Sequence, residues 1–143
     1  MKKEKAAVRK QTRRNKANNI KFVSPYINIE NPANDIDSIH DKHEIITPST
    51  INVLFDYPLN KPVTVTFDEG PYTRGELAML ICEKYAEIYR EESLTTTIPV
   101  GMIPDTYNRN ETNGKYGIWG HGIGDLLLHT VHLGDVYTLG IDS

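Results

Sequence analysis

The sequence predicts a small single α+β domain in which a β-hairpin, a helix and a second β-hairpin follow one another behind a basic N-terminal arm. Three observations predict it. Apolar residues alternate with polar ones on both sides of a turn between Ile51 and Phe67. A capped helical pattern follows from Thr73 to Ser93, and two further apolar runs near the end of the chain are separated by Gly134-Asp135. The order resembles a β-grasp-like arrangement, and a fold analogy of that kind implies no function.

The arm comes first. Residues 1–19 carry Lys2, Lys3, Lys5, Arg9, Lys10, Arg13, Arg14 and Lys16 against Glu4, a formal charge of +7. The rest of the 143-residue chain holds eight Lys and Arg against eighteen acids, a charge of −10. A split of this kind points to an interaction tail on an acidic body. Ala6, Ala7 and Val8 are the apolar members of the arm's middle and are contiguous, so the arm lacks an amphipathic stripe. Such a segment is expected to be disordered alone and to order on a partner.

Residues 20–143 are expected to form one domain. Ile20, Phe22, Val23, Tyr26, Ile27 and Ile29 suit a short strand broken at Ser24-Pro25, and the proline favours a sheet edge. Residues 31–50 are rich in Asn, Asp, Ser and Pro and read as a long surface loop. Ile51, Val53, Phe55 and Tyr57 then alternate with Asn52, Leu54 and Asp56, the period-2 signature of a half-buried strand. Pro58 to Lys61 makes the turn, and Val63, Val65 and Phe67 present a matching face.

Thr73-Arg74-Gly75-Glu76 has the form of a capping box. Leu77, Leu80, Ile81, Tyr85 and Ile88 recur at helical spacing, with Glu76, Glu83, Glu87 and Arg90 on the opposite, solvated face. The stripe is expected to cover the hairpin. Residues 94–116 read mainly as loops with one strand at Leu94–Val100. Six of the ten glycines fall between Gly117 and Gly140, and Leu126–Leu133 and Val136–Ile141 are strand-like runs that make the second hairpin.

Several function classes are set aside by composition. No apolar run approaches the roughly 18 residues that cross a bilayer, so no membrane partner is expected. The charged start lacks the apolar region of a secretory signal. Cys82 stands alone, which excludes an internal disulfide and fits a reducing compartment. Asn110-Glu111-Thr112 matches a glycosylation sequon, but without a secretory route it reads as a polar turn.

The arm is the candidate nucleic-acid-binding site. Eight cations within sixteen residues suit phosphate contacts driven by counterion release. The Lys2-Lys3 and Arg13-Arg14 clusters also have the character of a nuclear-import signal. Little aromatic interleaving argues against readout of base sequence. The alternative is an arm that docks on an acidic protein surface, including that of a sister subunit. A homodimer could pair an exposed edge at 22–29 or the C-terminal hairpin across a two-fold axis.

His121, Asp125, His129, His132 and Asp135 raise a further reading, a metal-dependent hydrolase. On one continuous helix, residues 121, 125, 129 and 132 would share a face, but Gly120, Gly122, Gly124 and Gly134 interrupt it. Read as a strand, His129 and His132 point to opposite faces. Hydrogen-bonded structural histidines are the simpler account, so no metal or other cofactor is expected. His40 and His43 sit in polar sequence and read as solvated. Gly120-His121-Gly122-Ile123-Gly124 lacks the Lys-Ser/Thr of a phosphate-binding loop and reads as close packing around Trp119. Cys82 lies beside the helical stripe and reads as a packing residue. No serine, cysteine or paired-carboxylate set forms a recognisable catalytic group, and no small-molecule substrate is identifiable.

Two segments, PYTRGELAMLICEKYAEIY and YNRNETNGKYGIWGHGIGDLLLHTVHLGDVYTLGIDS, cover a little under half the chain. They resemble a small protein family of large DNA viruses of amoebae, of the Marseillevirus type. The resemblance brings no catalytic residues to carry across. It implies an intracellular viral product, packaged in virions or active at the viral factory or host nucleus. The combined expectation is a non-enzymatic viral protein whose arm contacts nucleic acid or directs nuclear traffic.

Overall fold

The computed structural model describes residues 20–21, 26–99 and 110–143. Short strands β1 (Ile20–Lys21) and β2 (Ile27–Asn28) open the described chain, followed by a short helix α1 (Ala33–Asp37). The first hairpin is β3 (Ile51–Phe55) and β4 (Val63–Phe67). The long helix α2 (Arg74–Thr95) follows. A 3-10 turn (Ile123–Asp125) then leads into the second hairpin, β5 (Leu127–His132) and β6 (Thr138–Asp142).

Alternation builds the first hairpin as expected. Ile51, Val53 and Phe55 of β3 are buried and face Phe67, Val65 and Val63 in antiparallel register. The Thr66 hydroxyl donates to the Asn52 side chain across the pair at 2.6 Å. The strand ends two residues before Tyr57, which is 38% exposed rather than part of the buried row. The Pro58 ring cannot donate to a ladder, and Leu59 instead turns inward to pair with Ile118.

Helix α2 starts where the capping box places it. The Thr73 hydroxyl accepts the Glu76 amide at 3.1 Å, and the Glu76 carboxylate accepts the Thr73 amide at 2.9 Å. The buried face comprises Leu77, Ala78, Ile81, Cys82, Tyr85, Ile88, Tyr89 and Glu92, with Leu80 half-buried at its border. Phe55 meets Tyr85 edge-to-face at 5.2 Å, and the Tyr85 hydroxyl donates to the Tyr57 carbonyl at 2.8 Å. The stripe therefore covers the first hairpin as predicted.

The second hairpin joins the first through a narrow parallel seam. Val53 bridges Tyr137 in parallel, with Leu54 donating to the Tyr137 carbonyl and Tyr137 to the Asn52 carbonyl. The two hairpins belong to separate antiparallel sheets, β3 with β4 and β5 with β6, that meet at this isolated bridge. β1 and β2 pair the other side of β5, at Val131 and Thr130 and at Leu128 and Leu127 respectively. The interrupted edge strand expected over 20–29 is thus present, with residues 22–25 outside the described set.

Two expectations require correction. Residues 31–50 are not merely a surface loop: they contain α1, and Ile36, Ile39 and Ile46 reach the core. A five-residue helix is too short to announce itself by a repeating stripe, and of the three isoleucines only Ile36 belongs to it. The strand expected at Leu94–Val100 is absent from its described part. Leu94 and Thr95 continue α2, Thr96–Pro99 is irregular, and Val100 lies outside the described residues. The Thr-rich run ends a helix here because Thr96 turns extended while its amide still donates to the Glu92 carbonyl.

Candidate functional site

The arm residues Lys2, Lys3, Lys5, Arg9, Lys10, Arg13, Arg14 and Lys16 all lie outside the described residues. On the body, four of the eight Lys and Arg are ion-paired: Lys42 with Asp37, Arg74 with Glu44, Lys84 with Glu87, and Lys115 with Glu91 at 2.6 Å. These pairs lower what the body offers to a phosphate backbone.

The functional features of the described body gather where the first hairpin's turn meets residues 110–121. Three contacts bring them together. Trp119 donates its amide to the Pro58 carbonyl, Asn60 donates to the Gly117 carbonyl, and Lys61 donates to the Tyr116 carbonyl. Gly117 and Gly120, both at φ +68°, allow the chain to bend around this junction. The Asn60 side chain also donates to Glu111.

Beneath the junction lies Glu92, fully buried in the last turn of α2. Its carboxylate accepts the Thr112 hydroxyl and the amides of Gly114, Tyr116 and Gly117. Burial pushes its carboxyl upward, but the Thr112 hydroxyl and the three amides together outweigh it. They hold the group below the ordinary glutamate range. Thr112 is buried and Glu111 bridges Trp119, so the 110–112 sequon is a packed crossing rather than a polar turn.

At the surface of the same junction, Tyr57 and Trp119 stand 38% and 48% exposed. With Asp56, Pro58, Leu59 and Asn60 they line an open notch of about 220 Å³. His121 is buried behind them, its ring 5.9 Å from each aromatic centroid. Trp119 is therefore a surface residue, not the centre of the close packing expected from the surrounding glycines.

His121 links to Asp125 and to the end of the chain. Its Nδ1 is 3.6 Å from the Asp125 carboxylate and its Nε2 is 3.2 Å from the Ser143 hydroxyl, which meets the Tyr57 hydroxyl at 2.6 Å. The order of contacts has the outline of a Ser-His-Asp relay. At 3.6 Å the Asp125 contact is an ion-pair distance, longer than a hydrogen bond. What the contacts do is tie β6 to the Tyr57 loop.

The histidine constellation is not brought together. His129 meets Thr130 at 2.7 Å, Asp142 at 3.6 Å and the Tyr26 ring, away from the His121–Asp125 pair. Among the described residues no group of three His, Cys, Asp or Glu side chains could hold a metal ion. Nor is any described helix long and apolar enough to cross a membrane. His40 and His43 are exposed, as expected. Cys82 is buried, and burial, followed by Glu83 and Asp35, pushes its thiol up to about 12.

Comparison of the chain with protein-family models, curated proteins and solved structures finds no match in any of the three. Sequence reasoning missed Glu92 and the Tyr57–Trp119 pair. Glu92 had one available signal: an acid at a helix C-terminus, where the dipole disfavours it, four residues beyond the apolar Ile88. The aromatic pair had none, since its members are 62 positions apart.

Proposed function

We propose that this chain is a non-enzymatic interaction protein whose basic arm makes sequence-independent contacts with nucleic-acid phosphates. The carrying observation is the charge separation, +7 over residues 1–19 against −10 over the remainder. Ion pairing of Lys42, Arg74, Lys84 and Lys115, four of the body's eight Lys and Arg, supports the same division of labour by lowering what the body offers to phosphates. The resemblance to proteins of amoebal DNA viruses extends the proposal to a viral product acting in virions, at the viral factory or in the host nucleus.

Duplex binding measured across a salt series tests the reading. The full chain is compared with a full-length variant whose eight arm cations are glutamines. The native chain should lose affinity with a log–log slope of about −0.9 per phosphate neutralised, and the variant should bind far more weakly. Equal, negligible binding by both removes the proposal.

A homo-oligomeric module is the second reading, and one observation favours it. Among the described strands, β4 is paired only to β3, leaving its other edge as the one that another copy could join. Light scattering over a concentration series distinguishes a monomer from such an assembly.

A further inference from the structure

We infer that the notch between Tyr57 and Trp119 is a binding site for one cationic side chain, a lysine, methylated lysine or arginine, of a basic peptide from a partner protein. The inference rests on the body of the molecule and is independent of the arm.

The shape argument comes first. The notch holds about 220 Å³, with Pro58 and Leu59 beside Tyr57 and Trp119. That is below the roughly 300–1,000 Å³ of small-molecule sites and matches a single side-chain head group. Its position is held from beneath: Leu59 pairs with Ile118, and the Trp119 amide donates to the Pro58 carbonyl. The two rings are therefore carried on chain segments fixed to each other. Both rings are left partly exposed, 38% and 48%, side by side in the lining of the notch.

Charge selects the occupant. Aromatic faces attract cations through their quadrupole, and Trp and Tyr are the better rings for it. Asp56 lines the same notch and supplies a carboxylate beside the rings, while Asn60 supplies an amide. The surrounding chain beyond residue 19 carries −10. A nucleobase could also stack on these rings, but its phosphates would meet Asp56 and the negative body. An ammonium or guanidinium group meets attraction from both rings and carboxylate. The cationic peptide is therefore the favoured partner.

Trp119 is the chain's one tryptophan, so it reports on the notch directly. Full-length protein is titrated with three blocked tripeptides, Gly-X-Gly, in which X is arginine, trimethyllysine, or a neutral residue with a tert-butyl group replacing trimethylammonium. An oligothymidylate is titrated in parallel. The cationic peptides should change Trp119 emission saturably, with the neutral one roughly fivefold or more weaker. Asp56→Asn and Tyr57→Ala should each weaken the cationic peptides by a few-fold. Tyr57→Phe keeps the ring and should retain binding, which separates the face of the ring from its hydroxyl contact with Ser143. Circular dichroism confirms that each variant is folded. Equal response to the neutral peptide, no saturable response to either cation, or a response to the oligonucleotide alone would overturn the inference.

Discussion

The Thr112 hydroxyl donates to the Glu92 carboxylate at 2.5 Å, in a site closed to solvent. The helix dipole disfavours a carboxylate at this end of α2, and desolvation adds to the cost. Both are offset because Gly114, Tyr116 and Gly117 turn their amides toward the same two oxygens. Thr112 in turn accepts the Ile118 amide at 2.6 Å, so the network continues into the strand bridge below the Tyr57–Trp119 notch. The packing of the helix end and the shape of the surface are one arrangement.

Replacing Glu92 with glutamine should cost about 1.5–3 kcal/mol or more, the worth of hydrogen bonds to a charged group. A carboxamide also turns an NH2 toward donors that need acceptors. Urea denaturation should show a lower midpoint with an unchanged slope. A midpoint equal to that of the native chain would mean that the loop does not depend on this carboxylate.

The same group makes stability depend on acid. Glu92 titrates below its ordinary value of about 4.5 in the folded protein, so its contribution is complete above that value. It is lost as pH falls through the lower folded value, because the unfolded chain binds the proton first. Melting temperatures measured from pH 6 downward should fall below about pH 4.5, and the Glu92→Gln variant should show a shallower fall. Parallel curves would assign acid sensitivity to other carboxylates.

Thr73→Ala should destabilise the protein by about 1 kcal/mol, since it removes the hydroxyl that accepts the Glu76 amide. Thr73→Ser keeps the acceptor and should be close to native. Thermal denaturation of both variants is sufficient to check the order.

Cys82 should resist thiol reagents in the native protein. It is buried on the inner face of α2, and its thiol is held protonated by that burial and by neighbouring acids. Mass spectrometry after alkylation should find the native chain unmodified and the urea-unfolded chain labelled once. Rapid native labelling would show that α2 opens locally.

Much of the architecture was legible because it depends on short-range periodicity. Ile51 to Phe67 alternates at period 2, Thr73 and Glu76 stand at capping distance, and Gly134-Asp135 divides two apolar runs. Features that depend on distant pairing were hidden. Ile36, Ile39 and Ile46 look isolated in polar sequence because their partners lie in the core formed by other segments. Glu92 looks like part of an exposed Arg90-Glu91-Glu92 run, and only the amides of residues 114–117 make it an interior residue. Tyr57 was read inward from alternation, which stops two residues earlier, at Phe55, and Leu59 takes the next inward position.

The pairing of β2 with β5 joins residues about a hundred positions apart: Ile27 opposes Leu128 and Asn28 opposes Leu127. During synthesis on the ribosome, the early strand therefore has no native strand partner until about a hundred further residues have been made. The first hairpin and α2 emerge sooner, but the bridge at Tyr137 that joins the first hairpin to the second also arrives late. Local order can form while translation continues, whereas closure of the core must wait for β5 and β6. Topology of this kind slows folding and lengthens the exposure of unpaired strand edges. A nascent chain stalled shortly after α2 should therefore be a substrate for chaperones and proteases rather than a smaller version of the folded protein.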